Sequence, residues 1–265
     1  MLVWSRAARR MIWAVGGLVA AIIYGAPIIV IALASIAGHW NGAWPNDFTL
    51  RHYGNALTGD SARQLRTSLE TGAIASVFAV LSGTWAALAL RKIAPLPRRL
   101  FDLFFFMPSA VPSVSVGLGL LVAFSQPPVL LNGTTLIVIL AHFVLISAFS
   151  YGNISAGLAR LRPDYEQVAE SLGARPAYKL WRVTLPLILP YIVGALSLSF
   201  ALSMGELGAT EMVYPPGWVT LPVGIFALSD RGAIFDAAAL TMLLVAGTFA
   251  ILLALVRISN RATVR

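Results

Sequence analysis

Residues 165–173 read YEQVAESLG, and ten residues further along residues 183–186 read VTLP. This stretch lies between two long apolar segments and carries the densest charge in a chain that has few charged residues elsewhere. Charged side chains are costly in lipid, so such a stretch needs water or a protein around it. We therefore predict that it lies outside the membrane and contacts a partner there.

The same stretch has the signals of a short amphipathic helix. Pro163 suits the first helical position, Asp164 suits the positive end of the helix dipole, and Gly173 suits a left-handed stop. The apolar side chains recur at helical spacing on one face, formed by Tyr165, Val168, Ala169 and Leu172. The polar side chains form the opposite face, with Glu166, Gln167, Glu170 and Ser171. A second short helix is expected to begin at Pro176.

Helices of this length need support, because isolated helices hold in water only from roughly 12 to 15 residues upward. Two kinds of support remain open at this point. The helix docks on a separate protein, or its amphipathic turns pack on the helix bundle of its own chain.

The spacing resembles a known motif. Gly173 is followed by nine residues and then Val-x-Leu-Pro, which is similar to the "EAA" loop of ABC-importer permeases: Glu-Ala-Ala, three residues, Gly, nine residues and Ile-x-Leu-Pro. Gln167 and Val168 replace the Glu and Ala usual in that family. The resemblance implies a cytoplasmic loop that docks on a separate ATPase and transmits its closure to the membrane helices. The coupling residues it implies are Tyr165, Glu166, Gln167, Val168, Ala169, Glu170, Leu172, Gly173, Leu185 and Pro186.

The composition indicates that most of the chain is surrounded by lipid rather than water. Hydrophobic residues make up 58% of the 265 residues and charged residues 11%, so a soluble domain would expose too much apolar surface. The net charge of +8 lies mostly in short loops, where it indicates topology rather than nucleic-acid binding. The chain has no cysteine, which excludes disulfides and thiolate chemistry.

We predict an all-α polytopic membrane protein, a single permease domain of residues 1–265 with about six transmembrane helices. The predicted spans are residues 11–37, 67–90, 101–124, 133–151, 187–210 and 237–256, and the coupling loop is residues 153–186. Of the 19 basic residues, three precede the first span, four follow the second, five lie in the coupling loop and three end the chain. This bias predicts that both termini and the coupling loop face the cytoplasm.

Polar and proline residues inside two spans mark a candidate translocation path. Pro108 and Pro112 are expected to break the third span, and irregular backbone at membrane depth needs protein or a wet cavity beside it, which places this stretch inside the bundle. Polar residues recur at helical spacing along the fifth span as far as Thr210. The candidate path residues are Pro108, Pro112, Ser113, Ser199, Ser203 and Glu206.

Two ionisable residues lie inside predicted spans, and two roles are open for each of them. Glu206 either faces a wet path or is a structural carboxylate that nearby hydroxyls and backbone satisfy. His142 is either a satisfied donor between helices or a ligand.

Some chemistry is absent from the sequence. No Walker A pattern occurs, and the three histidines are scattered without a zinc-binding pair. We therefore expect no enzyme activity, no catalytic residue and no cofactor in this chain, with ATP and Mg²⁺ bound by a partner ATPase. A small secondary transporter remains an alternative, although the inverted repeats usual in that class are not found.

Further phrases extend the resemblance. Residues 48–53 read FTLRHY, and residues 203–210 read SMGELGAT, similar to a "GEFGAT" segment of importers for molybdate, iron and thiamine. The resemblance implies a permease of the bacterial inner membrane with three kinds of partner: an ATPase dimer, a second permease (identical or homologous) and an external solute-binding protein. Residues 212–222, MVYPPGWVTLP, resemble more narrowly the permeases assigned to 2-aminoethylphosphonate uptake. That solute is the predicted substrate, with molybdate, iron, thiamine or a polyamine as alternatives.

Overall fold

Helices account for nearly all of the regular structure. A computed structural model describes residues 5–263, with side chains through Arg257. Among the described residues the only strands are β1 (Ala37–His39) and β2 (Asn46–Phe48), which pair antiparallel with Ala37 opposite Phe48. The predicted all-α class is confirmed.

The regular structure is a succession of helices along the chain. Their bounds are α1 Arg6–Ser35, α2 Arg51–Ala56, α3 Gly59–Leu90, α4 Pro95–Phe106, α5 Ser113–Ala123, α6 Thr135–Arg160, α7 Pro163–Ser171, α8 Pro176–Lys179, α9 Leu185–Met204, α10 Gly208–Val213, α11 Leu221–Asp230 and α12 Ile234–Thr263. A 3₁₀ turn, Met107–Ala110, follows α4, and a π-helical turn, Leu180–Thr184, joins α8 to α9.

Five helices of the described chain are long and apolar enough to cross a membrane: α1, α3, α6, α12 and the continuous run Pro176–Met204. A sixth span results if Pro95–Ala110 and Ser113–Ala123 are counted together, although they meet at 103°. These helices agree with the predicted number of about six spans.

The predicted break at Pro108 and Pro112 is present, and the single chain leaves it partly exposed. Val111 and Pro112 have extended backbone, which turns the chain between α4 and α5. Met107 and Val111 are 56% and 40% exposed, so this chain alone does not fully enclose the bend. Pro108, Val111 and Ser113 nevertheless line a cavity together with side chains of α6, so the bend is partly enclosed and partly exposed. That this stretch lies inside the bundle stays a prediction.

Several boundaries also differ from the predicted ones. Helix α6 continues to Arg160, because Tyr151, Ile154 and Leu158 are buried along one of its faces, and so the loop begins after residue 160 instead of residue 153. The helix expected at Pro176 is not separate but runs into α9 through the π turn. Proline at 186 cannot donate a helical hydrogen bond, and a wider turn accommodates that loss.

The described chain forms two units. One comprises the described part of Met1–Ala62 with Gly224–Val245, and the other comprises Arg63–Val223 with the described part of Ala246–Arg265. In the first unit, the His52 ring contacts the Ala37 carbonyl oxygen at 3.1 Å and the Asp236 carboxylate at 2.8 Å. These two contacts join the β hairpin and α2 to the start of α12.

The second unit has its largest core where three long helices meet. Side chains of α3, α6 and α9 are buried together there: Val80, Ala87, Leu90, Tyr151, Ile154, Leu158, Ile188 and Ala195. This core lies at the C-terminal ends of α3 and α6 and the start of α9. The coupling loop leaves α6 and enters α9 beside it.

Candidate functional site

Helix α7 is built as the sequence predicts. Pro163 occupies the first helical position, and Gly173 follows the helix with a φ of +81°. The Gly173 N–H donates to the Glu170 carbonyl at 2.9 Å and the Ala174 N–H donates to the Ala169 carbonyl at 3.0 Å. This pair of bonds is a Schellman motif, and a residue with a Cβ would be strained at its left-handed position.

The apolar face of α7 is exposed. Tyr165 is 50% exposed, Val168 58% and Leu172 83%, which reverses the burial expected of an amphipathic helix on its own protein. Together with Tyr178 and Val183 they line a groove of about 650 Å³. We name this groove, with the exposed side chains of Tyr165, Val168 and Leu172, the docking face; Leu172 is the residue that caps the end of α7.

One residue of the polar side of α7, Glu166, faces its own chain. Glu166 accepts two hydrogen bonds from the Arg91 guanidinium, at 2.9 Å and 2.7 Å, and a third from the Thr184 hydroxyl at 2.7 Å. Burial by itself raises the pKa of this carboxyl, but the bonds from Arg91 and Thr184 and the charges of Arg91 and Lys179 outweigh it, and the pKa is lowered. Glu166 is therefore held as a carboxylate.

The remaining predicted coupling residues are divided between these two sides. Ala169 and Leu185 are half-buried, and Gln167 and Pro186 are exposed. Glu170 forms an ion pair with Lys179 of α8. The structure therefore brings the predicted residues together at one loop, but it turns only some of them outward.

A cavity lies beside the break between α4 and α5. It has a volume of about 160 Å³, and its lining includes the predicted path residues Pro108, Ser113 and Glu206 as well as His142. Gly117 allows α10 to approach α5 here, since a Cβ at that position would lie 2.6 Å from the Ala209 carbonyl oxygen. Pro112 sets the bend but does not line the cavity.

The predicted polar stripe of the fifth span is not one continuous face. Helix α9 ends at Met204 and α10 begins at Gly208, so the helical spacing on which the stripe depends is interrupted. The Glu206 carboxylate accepts a hydrogen bond from the Ala209 N–H at 2.8 Å, across the break. Glu206 thus accepts a hydrogen bond from the backbone and also lines the cavity.

The other polar residues of this region are bonded to α6. Ser199 contacts Ser150 at 2.7 Å, and the two ring nitrogens of His142 contact Ser203 at 2.6 Å and Thr210 at 2.8 Å. We name His142, Ser203 and Thr210 the polar cluster. All three are buried, so His142 is a satisfied group between helices rather than a free ligand.

Sequence reasoning did not find the partners of Glu166. Arg91 is 75 residues away in the chain and Thr184 is 18 residues away, and no local pattern links either of them to Glu166. The available signal was general: a carboxylate on the polar face of a short helix, and an arginine at the end of a span. Within residues 5–263, no group of three or more His, Asp or Glu side chains could hold a metal ion.

The sequence is similar to proteins of known families. Residues 71–265 match the family described as binding-protein-dependent transport system inner membrane component. A Salmonella paratyphi A protein, provisionally named 2-aminoethylphosphonate transport system permease protein PhnV, is 53% identical over 98% of both chains. The molybdenum transport system permease protein ModB of Mycobacterium bovis is 34% identical over 70% of this chain and 72% of its own.

The fold is similar to that of a solved transporter. A chain from the crystal structure of a bacterial ABC transporter involved in alginate import superimposes with a TM-score of 0.75. The match covers 97% of this chain and 99% of that chain, at 17% sequence identity. At that identity the likeness concerns the fold alone.

Proposed function

The chain belongs to the family of binding-protein-dependent transport system inner membrane components, and on that premise we propose that it is driven by an ATPase in a separate chain. Membership makes it a multi-pass permease component of the inner membrane that works with a solute-binding protein. It also removes the secondary-transporter alternative. ATP and Mg²⁺ then bind an ATPase dimer, and a second permease, identical or homologous, completes the membrane part. Both termini of this chain then lie in the cytoplasm.

The observation that carries the proposal is the docking face. Tyr165, Val168 and Leu172 are not covered by their own chain, on a helix for which the sequence predicts a position outside the membrane. A groove lined by aromatic and aliphatic side chains suits a helix or loop of a soluble partner. We assign this face to the ATPase, with Ala169, Gly173, Leu185 and Pro186 shaping the loop that presents it.

For the solute path, the cavity at the α4–α5 break is the better candidate than the polar cluster. Pro108, Ser113 and Glu206 line open space, whereas Ser199 and Ser203 are bonded between helices. The substrate we propose is 2-aminoethylphosphonate, because the relative with 53% identity carries that name. A single carboxylate in the cavity is compatible with the ammonium end of that solute.

An uptake assay tests the proposal. The chain is co-expressed with its binding protein and ATPase, and uptake of labelled 2-aminoethylphosphonate is measured with and without excess molybdate or putrescine. We expect ATP-dependent uptake that neither competitor reduces, and that is lost when either partner is omitted. Competition by molybdate would instead favour the solute of the 34% identical relative, and uptake without an ATPase would contradict the proposed mechanism.

A further inference from the structure

Glu166 is bonded to side chains from two other parts of the chain at once. Arg91 reaches it from the residue that follows α3, and Thr184 reaches it from the π turn before α9. The arginine bonds are bidentate, one to each carboxylate oxygen, which fixes the angle between the two planar groups. A single carboxylate thereby joins α3, α7 and the start of α9.

This contact is sheltered although its helix is not. Glu166 is 15% exposed and Arg91 29% exposed, and Thr184 is fully buried. In contrast, none of the described residues of α7 is buried, and its large apolar side chains point outward. The attachment of α7 to the rest of its chain therefore depends mainly on polar contacts: the Glu166 contact and the ion pair of Glu170 with Lys179 of α8.

Beyond the arginine, the contact continues into the main core. Leu90, the neighbour of Arg91, is buried with Ile154 and Leu158 of α6 and Ile188 of α9. Close-packed side chains transmit displacement because they cannot be compressed. A force on α7 thus reaches α3 through a rigid pair of ions, and reaches α6 and α9 through their shared core.

We propose that the Arg91–Glu166–Thr184 contact is the link through which movement of the docked α7 displaces α3 and α9. This inference rests on the proposed function, since it takes the ATPase as the source of the movement. Glu166 and Arg91 are then positioning residues: they contact neither solute nor nucleotide. The Arg91–Glu166 pair holds α7 at a fixed angle to the membrane helices while the ATPase closes.

Coupling measurements on the complete transporter in proteoliposomes test the link. The variants are Arg91→Glu, Glu166→Arg, the milder Arg91→Lys and Glu166→Gln, and the double exchange Arg91→Glu/Glu166→Arg. The readout is solute uptake per ATP hydrolysed, normalised to the amount of assembled complex. Asp164→Asn serves as the matched control, because Asp164 lies on the same helix as Glu166 and pairs with Arg162 just before that helix, but both side chains are largely exposed.

We expect the charge reversals to lower uptake per ATP by about ten-fold or more, as the loss of a sheltered charged pair warrants. The milder variants should lower uptake per ATP by less, and the control should not lower it. The double exchange should restore much of the uptake per ATP, since the Thr184 hydroxyl can accept as well as donate. Unchanged coupling in the single variants would overturn the link. So would reduced assembly at an unchanged ratio, or no recovery in the exchange.

The failure of the proposed function gives a different result. In that case the ATPase is not retained by the unmodified chain, and uptake does not depend on ATP in any variant. Normal ATP-dependent uptake in the unmodified transporter therefore has to be established first, and the variants then test only the link.

Discussion

The coupling loop exposes apolar side chains, whereas the polar cluster buries polar side chains within the chain. In the loop, the apolar residues of α7 are exposed and the carboxylate of Glu166 is turned inward. In the polar cluster, His142, Ser203 and Thr210 are buried and bonded to one another. The cluster is complete within the chain, whereas the loop leaves apolar surface uncovered.

This difference distinguishes polar groups that stabilise the fold from apolar surface that is left for a partner to cover. Buried polar groups cost free energy unless they are paired, so pairing accounts for the cluster without any ligand. An exposed apolar face also costs free energy, and a partner that covers it removes the cost. The three predictions below test each side of this contrast, from the largest expected effect to the smallest.

Leu172→Asp should abolish docking. It places a charge at the most exposed apolar residue of α7, where folding of the single chain does not depend on it. We expect recovery of the ATPase with the purified permease to fall by about ten-fold or more, as for the central residue of an interface. Ser171→Asp adds the same charge on the other side of the helix and should retain the ATPase. Equal recovery with Leu172→Asp and the unmodified chain would exclude the docking face.

Glu206 variants test whether this cavity residue is needed for transport or only for the stability of the fold. Glu206→Gln keeps an acceptor for the Ala209 N–H, whereas Glu206→Ala removes it at a cost of about 1 kcal/mol. We expect Glu206→Gln to retain thermal stability but lose most uptake, because the negative charge is absent. Glu206→Ala should lose stability as well. Full uptake by the Gln variant would make Glu206 a backbone cap only.

The pH dependence of coupling should be slight near neutrality. The pKa of Glu166 is lowered from 4.5, so its stabilising contribution is fully present above that value and is lost as the pH falls through the lower folded value. Uptake per ATP should therefore stay constant from about pH 6 to about pH 8 as far as this carboxylate is concerned. A steep loss within that range that Glu166→Gln abolishes would contradict the assigned charge state.

Much of the fold could be predicted because lipid imposes a simple rule on sequence. Long apolar runs form helices there, and Pro163, Gly173 and the two prolines at 108 and 112 act locally on the backbone. The misplaced boundaries have tertiary causes. Helix α6 is extended by side chains that pack on α3 and α9, and the polar stripe fails because the helix stops at Met204.

By itself, the sequence determined the helical class, the number of apolar segments, the break in the third and the amphipathic helix with its glycine stop. All of these depend on interactions within a few residues or with the surrounding solvent. Only the tertiary structure decided that Glu166 binds Arg91, that His142 is satisfied by Ser203 and Thr210, and that the apolar face of α7 stays exposed. Such choices require distant segments to meet, and residue type and spacing do not encode which partner a side chain finds.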